Sequence, residues 1–134
     1  MQAMADQETV MPAPTDVFQS LAELLAASEW EKAAELYSLD VEVTNRFSPD
    51  GPTTNRGRKA VEGFFKGLGS QLDSLAVTDA TLTPGGDPEM LTAEFDFSAS
   101  SRGTAFKLPA IFVMRVRGGE IIESRDYIGP RRAA

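Results

Sequence analysis

Glu120-Ile121-Ile122-Glu123-Ser124-Arg125-Asp126-Tyr127-Ile128-Gly129-Pro130, near the end of the chain, decides how the rest is read. Gly118-Gly119 precedes it and Gly129-Pro130 closes it, so it reads as one strand between two turns. Side chains alternate across a strand, which puts Ile122, Ser124, Asp126 and Ile128 on one face. That face has an interior character, and Asp126 is the odd member. A carboxylate in such company is paired, neutralised or chemically employed. Arg125 and Tyr127 fall on the opposite face and read as structural, pairing across the sheet or an interface.

Three further runs lead up to this strand. Ser74–Pro84, Met90–Ser100 and Thr104–Arg117 are separated by Pro84-Gly85-Gly86-Asp87-Pro88 and Ser101-Arg102-Gly103. Short glycine-containing connections between alternating runs signal hairpins, so a four-strand antiparallel meander is expected. Upstream, Val17, Phe18, Leu21, Leu24 and Leu25 recur at helical spacing and predict a helix from about Asp16 to Ala27. Ser28-Glu29-Trp30-Glu31 has the form of a capping box, opening a second helix to about Tyr37. Trp30 and Tyr37 there read as packing residues. Val41–Phe47 alternates as a strand, and Ser48 to Asn55 reads as a loop. Gly57 to Asp73 carries Val61, Phe64, Phe65, Leu68 and Leu72 at helical spacing. The predicted architecture is α+β: a curved antiparallel sheet wrapped around about three helices. A loose arm is expected over residues 1–14, one domain over 15–130 and a tail over 131–134.

Composition narrows the function. The chain has 134 residues, enough for one domain with a core, and a formal net charge of -7. The acidic balance argues against nucleic acid and against an anionic membrane surface. No apolar run approaches a membrane span, and the N-terminus lacks the pattern of a signal peptide, so a cytoplasmic protein is expected. There is no cysteine and no histidine. Disulfides, thiolate nucleophiles and the commonest general base are thereby removed. No metal spacing, phosphate loop or dinucleotide fingerprint is present, so neither metal nor cofactor is expected. Acid–base chemistry falls to Asp, Glu, Lys or Tyr.

Gly119-Glu-Ile-Ile-Glu-Ser-Arg-Asp-Tyr-Ile128 resembles the Gly-Lys-Ile-x-x-x-Arg-Asp-Tyr ending of SnoaL-like proteins and limonene-1,2-epoxide hydrolases. Asn55-Arg-Gly-Arg-Lys-Ala-Val-Glu-Gly-Phe-Phe65 resembles the Gly-Arg-x-Ala-Val helix start of the same group. The resemblance covers nearly the whole chain after residue 15 and implies the cone-shaped fold of the nuclear transport factor 2-like superfamily. In the epoxide hydrolase branch it implies that Asp126 is a general base, Asp96 an acid and Asn45 a holder of water. Two positions depart from that branch. Val43 stands where it has a water-holding tyrosine, and Glu94 where it has an arginine bridging the two aspartates.

The residues of the Met90–Ser100 strand admit two orientations. Glu94, Asp96 and Ser98 share one face, and Phe95 and Phe97 share the other. Alternation alone allows the aromatic face to be the buried one, with both acids solvated. The family register instead turns Asp96 inward. Were Glu94, Asp96 and Asp126 to converge, two carboxylates about 6 Å apart would repel by roughly 3 kcal/mol at an effective dielectric near 20. One would keep its proton near neutrality and another would stay ionised, giving an acid and a base without histidine. Val43, Leu108, Ala110, Phe112, Met114 and Ser124 are the expected pocket residues around Asp126, Asp96, Asn45 and Glu94.

The expected function is a cofactor-free acid–base enzyme for an apolar or polyketide-like small molecule, by epoxide opening, cyclisation or isomerisation. Loss of the water-holding tyrosine favours an intramolecular reaction. Epoxide hydrolysis with water, and a non-catalytic dimeric ligand-binding or adaptor domain, are the alternatives. A homodimer through the outer sheet face would suit Phe95 and Phe97 if that face is the outer one.

Overall fold

The computed structural model describes residues 11–47 and 50–134. The proposed arm therefore falls largely outside the described residues, as do Ser48 and Pro49 of the predicted loop. Helix α1 spans Pro14–Ala26 and α2 spans Trp30–Ala34. Strand β1 spans Tyr37–Asn45, β2 Thr53–Arg56, and helix α3 Arg58–Gln71. Then follow β3 Ser74–Pro84, β4 Met90–Ser101, β5 Thr104–Arg117, β6 Glu120–Ile128 and β7 Arg132–Ala133.

Strands β3 to β6 form the predicted antiparallel meander. The sheet order is β2-β1-β6-β5-β4-β3, with β7 added beside β5. β1 runs parallel to β6, so the sheet is mixed rather than wholly antiparallel. Parallel neighbours need a long crossover, and here the whole of α3 and the meander lies between them. The predicted loop contains β2, which pairs antiparallel with β1 through Val43 opposite Asn55 and Asn45 opposite Thr53. The expected tail is likewise partly strand, since Arg132 and Ala133 pair with Lys107 and Phe106.

Ser28 does not cap α2. Its φ is 59°, and it closes α1 instead. The Ser28 N–H donates to the Leu25 carbonyl and the Glu29 N–H to the Leu24 carbonyl, the paired bonds of a Schellman ending. The capping-box pattern was thus used by the preceding helix end, and α2 is cut to one short turn. At the other end of α1, Pro14 sits in the first turn, where its missing N–H costs nothing. Asp16 reaches back to accept from the Ala13 N–H.

The inner face of the sheet is apolar. Val17, Phe18, Leu21 and Leu25 of α1 pack there, with Phe18 and Phe95 centroids 5.2 Å apart. Phe95, Phe97 and Phe112 form an edge-to-face cluster with centroids 4.9 to 6.0 Å apart. Such pairs add about 0.5–1.5 kcal/mol each beyond their buried area. Trp30 lies against α3 at Gly69, where a Cβ would meet the indole at 2.5 Å, so glycine there permits the close approach.

The burial of Phe95 and Phe97 corrects the family register for β4. Its inward residues are Leu91, Ala93, Phe95, Phe97 and Ala99, and Asp96 and Glu94 lie on the outer face. Burying two phenylalanines is worth several kcal/mol, whereas burying two unpaired carboxylates would cost it. A second correction concerns β6. Val116 pairs with Ile121 but Arg115 pairs with Glu123, so Ile122 is the extra residue of a β-bulge. Ile121, fully buried, shares the inner face with Ser124 and Asp126, and Ile122 does not.

Candidate active site

One row of residues crosses the inner face through Asp126. Thr53 pairs with Asn45, Asn45 with Asp126, and Asp126 with Phe112. The adjoining row runs Asn55, Val43, Ser124, Met114. Helix α3 covers both rows but does not fill the space beneath it. A cavity of about 310 Å³ remains, at the small end of ligand sites. Phe65 and Leu68 of α3, with Leu72 just past its end, form its roof, and Val43, Phe97, Leu108 and Phe112 its walls.

Asp126 is 8% exposed and lines this cavity. Ser124 Oγ donates to its Oδ1 at 2.5 Å. Among the described residues Oδ2 has no partner, and no buried side-chain polar atom is left unpaired, so Oδ2 opens into the cavity. Burial pushes the carboxyl up from 3.8 to about 7, and the Ser124 hydroxyl opposes that rise. The expected splitting of two acids is therefore replaced by a different cause. A single carboxyl is poised near neutrality by desolvation, with no second carboxylate beside it.

Tyr37, the first residue of β1, lines the same cavity. Its ring is 2% exposed and meets Phe65 edge-on at 5.8 Å. Burial, and then the negative charge of Asp126, hold its hydroxyl well above its usual value. It is thus a neutral donor at any physiological pH. Among the described residues its hydroxyl has no hydrogen-bond partner, which leaves it facing the cavity. Asn45 lies beside Asp126 as expected, and its Oδ1 accepts from the Phe47 N–H at 3.2 Å. Asn45 also lines the cavity, and among the described residues its NH2 has no hydrogen-bond partner.

Of the expected pocket residues, Val43, Leu108 and Phe112 line the cavity. Ala110 and Met114 are core, at 4% and 0% exposure, and Ser124 acts by holding Asp126. Asp96 is outside. It makes a bidentate ion pair with Arg132 at 3.0 and 3.3 Å on the outer face. Glu94 is exposed there as well. Neither can serve as the acid partner of Asp126 in this geometry. Arg46 and Arg102 do not line the cavity. Sequence reasoning missed Tyr37, which the helical pattern claimed as packing, and Arg131, whose side chain reaches the cavity from beyond the last long strand. Among the described residues no group of three or more His, Cys, Asp or Glu is gathered as a metal centre would need.

The chain belongs to the SnoaL-like domain family, whose model matches residues 18–124. Its fold is the ketosteroid isomerase-like one, as solved structures show. A Bacillus subtilis protein described, by inference, as an isomerase superimposes with TM-score 0.79 at 21% identity, covering 87% of this chain and 86% of its own. A protein of ketosteroid isomerase-like fold from Catenulispora acidiphila, solved with trimethylamine, gives TM-score 0.74 at 20% identity, covering 88% of each chain. SalBIII, an epoxide hydrolase/cyclase-like enzyme of pyran ring formation in salinomycin, gives TM-score 0.73 at 15% identity, covering 86% of this chain and 89% of its own. A search of curated proteins found no match.

Proposed function

We propose that the protein is a cofactor-free acid–base enzyme that moves a proton on an apolar small molecule, in an isomerisation or an intramolecular cyclisation. One observation carries this reading: Asp126, buried under an apolar roof, keeps one carboxylate oxygen open to a cavity and titrates at about 7. A base whose value lies near the working pH combines availability with driving force.

In this reading the substrate lies with a carbonyl toward Tyr37 and Asn45. Ionised Asp126 takes a proton from the carbon next to that carbonyl. The electron pair moves onto the carbonyl oxygen, and the Tyr37 hydroxyl and Asn45 amide donate to the enolate. The proton then returns to a different carbon, giving an isomer, or the enolate carbon attacks a second carbonyl carbon of the same molecule, whose π bond opens to an alkoxide that takes the proton back from Asp126, closing a ring. Donors aimed at developing charge in a dry site are worth about 3–4 kcal/mol each. Epoxide opening uses the same groups in another order: Asp126 takes the proton of a hydroxyl of the substrate, that oxygen attacks an epoxide carbon, the C–O bond breaks onto the ring oxygen, and this oxygen, hydrogen-bonded by Tyr37, takes the proton back from Asp126. Hydrolysis loses support because Asp96 and Glu94 face outward.

The test uses a panel of cyclic ketones and β-keto esters in D2O. Deuterium uptake at the α-carbon, above the buffer rate and lost in Asp126→Asn, is expected. Uptake equal in both proteins rejects Asp126 as the base. Label from H2(18)O appearing in a product would favour the hydrolase alternative instead.

A homodimer through the outer sheet face belongs to the same reading. Phe47 is 64% and Ile111 39% exposed there, and Phe47 stacks edge-on against Tyr127 at 5.4 Å. These residues line a shallow depression with Pro109, apolar enough to be covered by a second copy. Light scattering after size exclusion should give a dimer that Ile111→Glu converts to monomer; an unaltered monomer rejects the interface. A cytoplasmic location rests on composition alone. Among the described residues no helix is long and apolar enough to cross a membrane.

A further inference from the structure

The mouth of the cavity carries charge of the opposite sign to its floor. Arg131 lines the cavity and is exposed, with its guanidinium 3.8 Å over the Phe106 ring. It also lines a polar depression that shares Gln71 and Leu72 with the cavity, so the two spaces adjoin. Arg102 stands on the far side of that depression, on the β4–β5 turn.

Among the described residues neither arginine makes an ion pair, in a chain with 20 acidic and 13 basic side chains. Acidic partners outnumber cations, and eight other arginine and lysine side chains have found them. Asp73, the one carboxylate lining the depression, accepts from the Gly103 N–H, and the Gln71 carbonyl accepts from Ser101 Oγ, so neither is bound to an arginine. What the depression offers a visitor is therefore two guanidinium groups with unused donors, suited to carboxylate or phosphoryl oxygens.

We propose that Arg131, with Arg102 behind it, binds the anionic end of an elongated apolar substrate whose other end reaches Asp126. This deepens the acid–base reading and rests on the same cavity. Phe106, beneath Arg131, and Phe112, beside Asp126, are six residues apart on β5, and at ~3.3 Å per residue that is roughly 20 Å of strand. The long arginine side chain shortens the span the substrate must cover. Opposite charges at the two ends also fix the direction of entry. Ionised Asp126 repels an acidic group, and Arg131 holds one.

Calorimetric titration at pH 8 with decanoate, decan-1-ol and decyl phosphate tests this. Decanoate is expected to bind the native protein at least tenfold more tightly than the alcohol. Arg131→Gln should abolish that preference while leaving the alcohol's affinity unchanged, and Arg102→Gln should reduce it in part. Asp126→Asn should leave the preference in place. Decyl phosphate binding more tightly than decanoate would assign the subsite to a phosphoryl group, and the reverse order to a carboxylate. Equal binding of acid and alcohol, or a preference that survives Arg131→Gln, overturns the anion subsite and leaves the acid–base reading standing. Binding of none of the three overturns the cavity on which both rest.

Discussion

Ser124 and Asp126 sit two residues apart on β6, both buried, joined by a hydrogen bond of 2.5 Å from hydroxyl to carboxylate. The bond stabilises the ionised form of an acid that burial would otherwise keep protonated. Removing it has a readable consequence. A hydrogen bond to a charged group is worth about 1.5–3 kcal/mol, and 1.36 kcal/mol is one pKa unit. Ser124→Ala should move the lower limb of the rate–pH profile up by about one to two units. At pH 7 exchange should fall about five- to fiftyfold and recover as pH rises through 9. An unmoved midpoint would show that Ser124 does not tune the acid.

Asp126→Asn should separate activity from stability. Loss of the base costs about 10²–10⁴ in rate. The folded protein holds the Asp126 proton up to about 7, and the unfolded chain releases it near 3.8. Between those values the folded state binds more protons, so stability falls as pH rises through that window and levels above it. The whole loss is about 4 kcal/mol. Melting curves at pH 5 and pH 8 should therefore differ more for the native protein than for Asp126→Asn, and the variant should be the more stable at pH 8. Equal pH dependence in both would contradict a raised Asp126.

Tyr37→Phe keeps the ring against Phe65 and deletes only the hydroxyl that faces the cavity. Turnover should drop about 10²-fold with the melting temperature nearly unchanged. A fall in melting temperature with turnover intact would make Tyr37 a core residue and nothing more.

Asp96→Asn should leave turnover within about twofold. It breaks an outer-face ion pair whose Arg132 side chain is 51% exposed, so stability should change by less than about 1 kcal/mol. A hundredfold loss of turnover would return Asp96 to the catalytic set.

The meander, the helices and Asp126 were legible because each has a strong local signal: glycine turns, apolar periodicity, and an acid on an apolar face. Asn45 was legible from alternation with Val41 and Val43. Asp96 was misplaced because a family register outweighed the plainer pattern of Phe95 and Phe97. β2 was unreadable as a strand, since Thr53–Arg56 carries no buried apolar residue and exists by pairing with β1. Tyr37 was hidden for a related reason. Three extra residues in β1 relative to β6, between Tyr37 and Glu42, break the alternation that would have joined it to Val41 and Val43.

The bulge at Ile122 sets the identity of the cavity floor. It lets Ile121 and Ser124, three residues apart, both turn inward, where plain alternation would set them on opposite faces. Were the strand to pair straight through with Ile122 kept in register and Ile121 held in the core, Arg125 and Tyr127 would turn inward and Asp126 outward, exchanging an acidic floor for a basic, phenolic one. Deleting Ile122 would instead join Ile121 to Glu123 in regular pairing and leave Ser124 and Asp126 on the cavity side. The chemistry of this site is thus written in how the strand is paired as much as in which residues it holds.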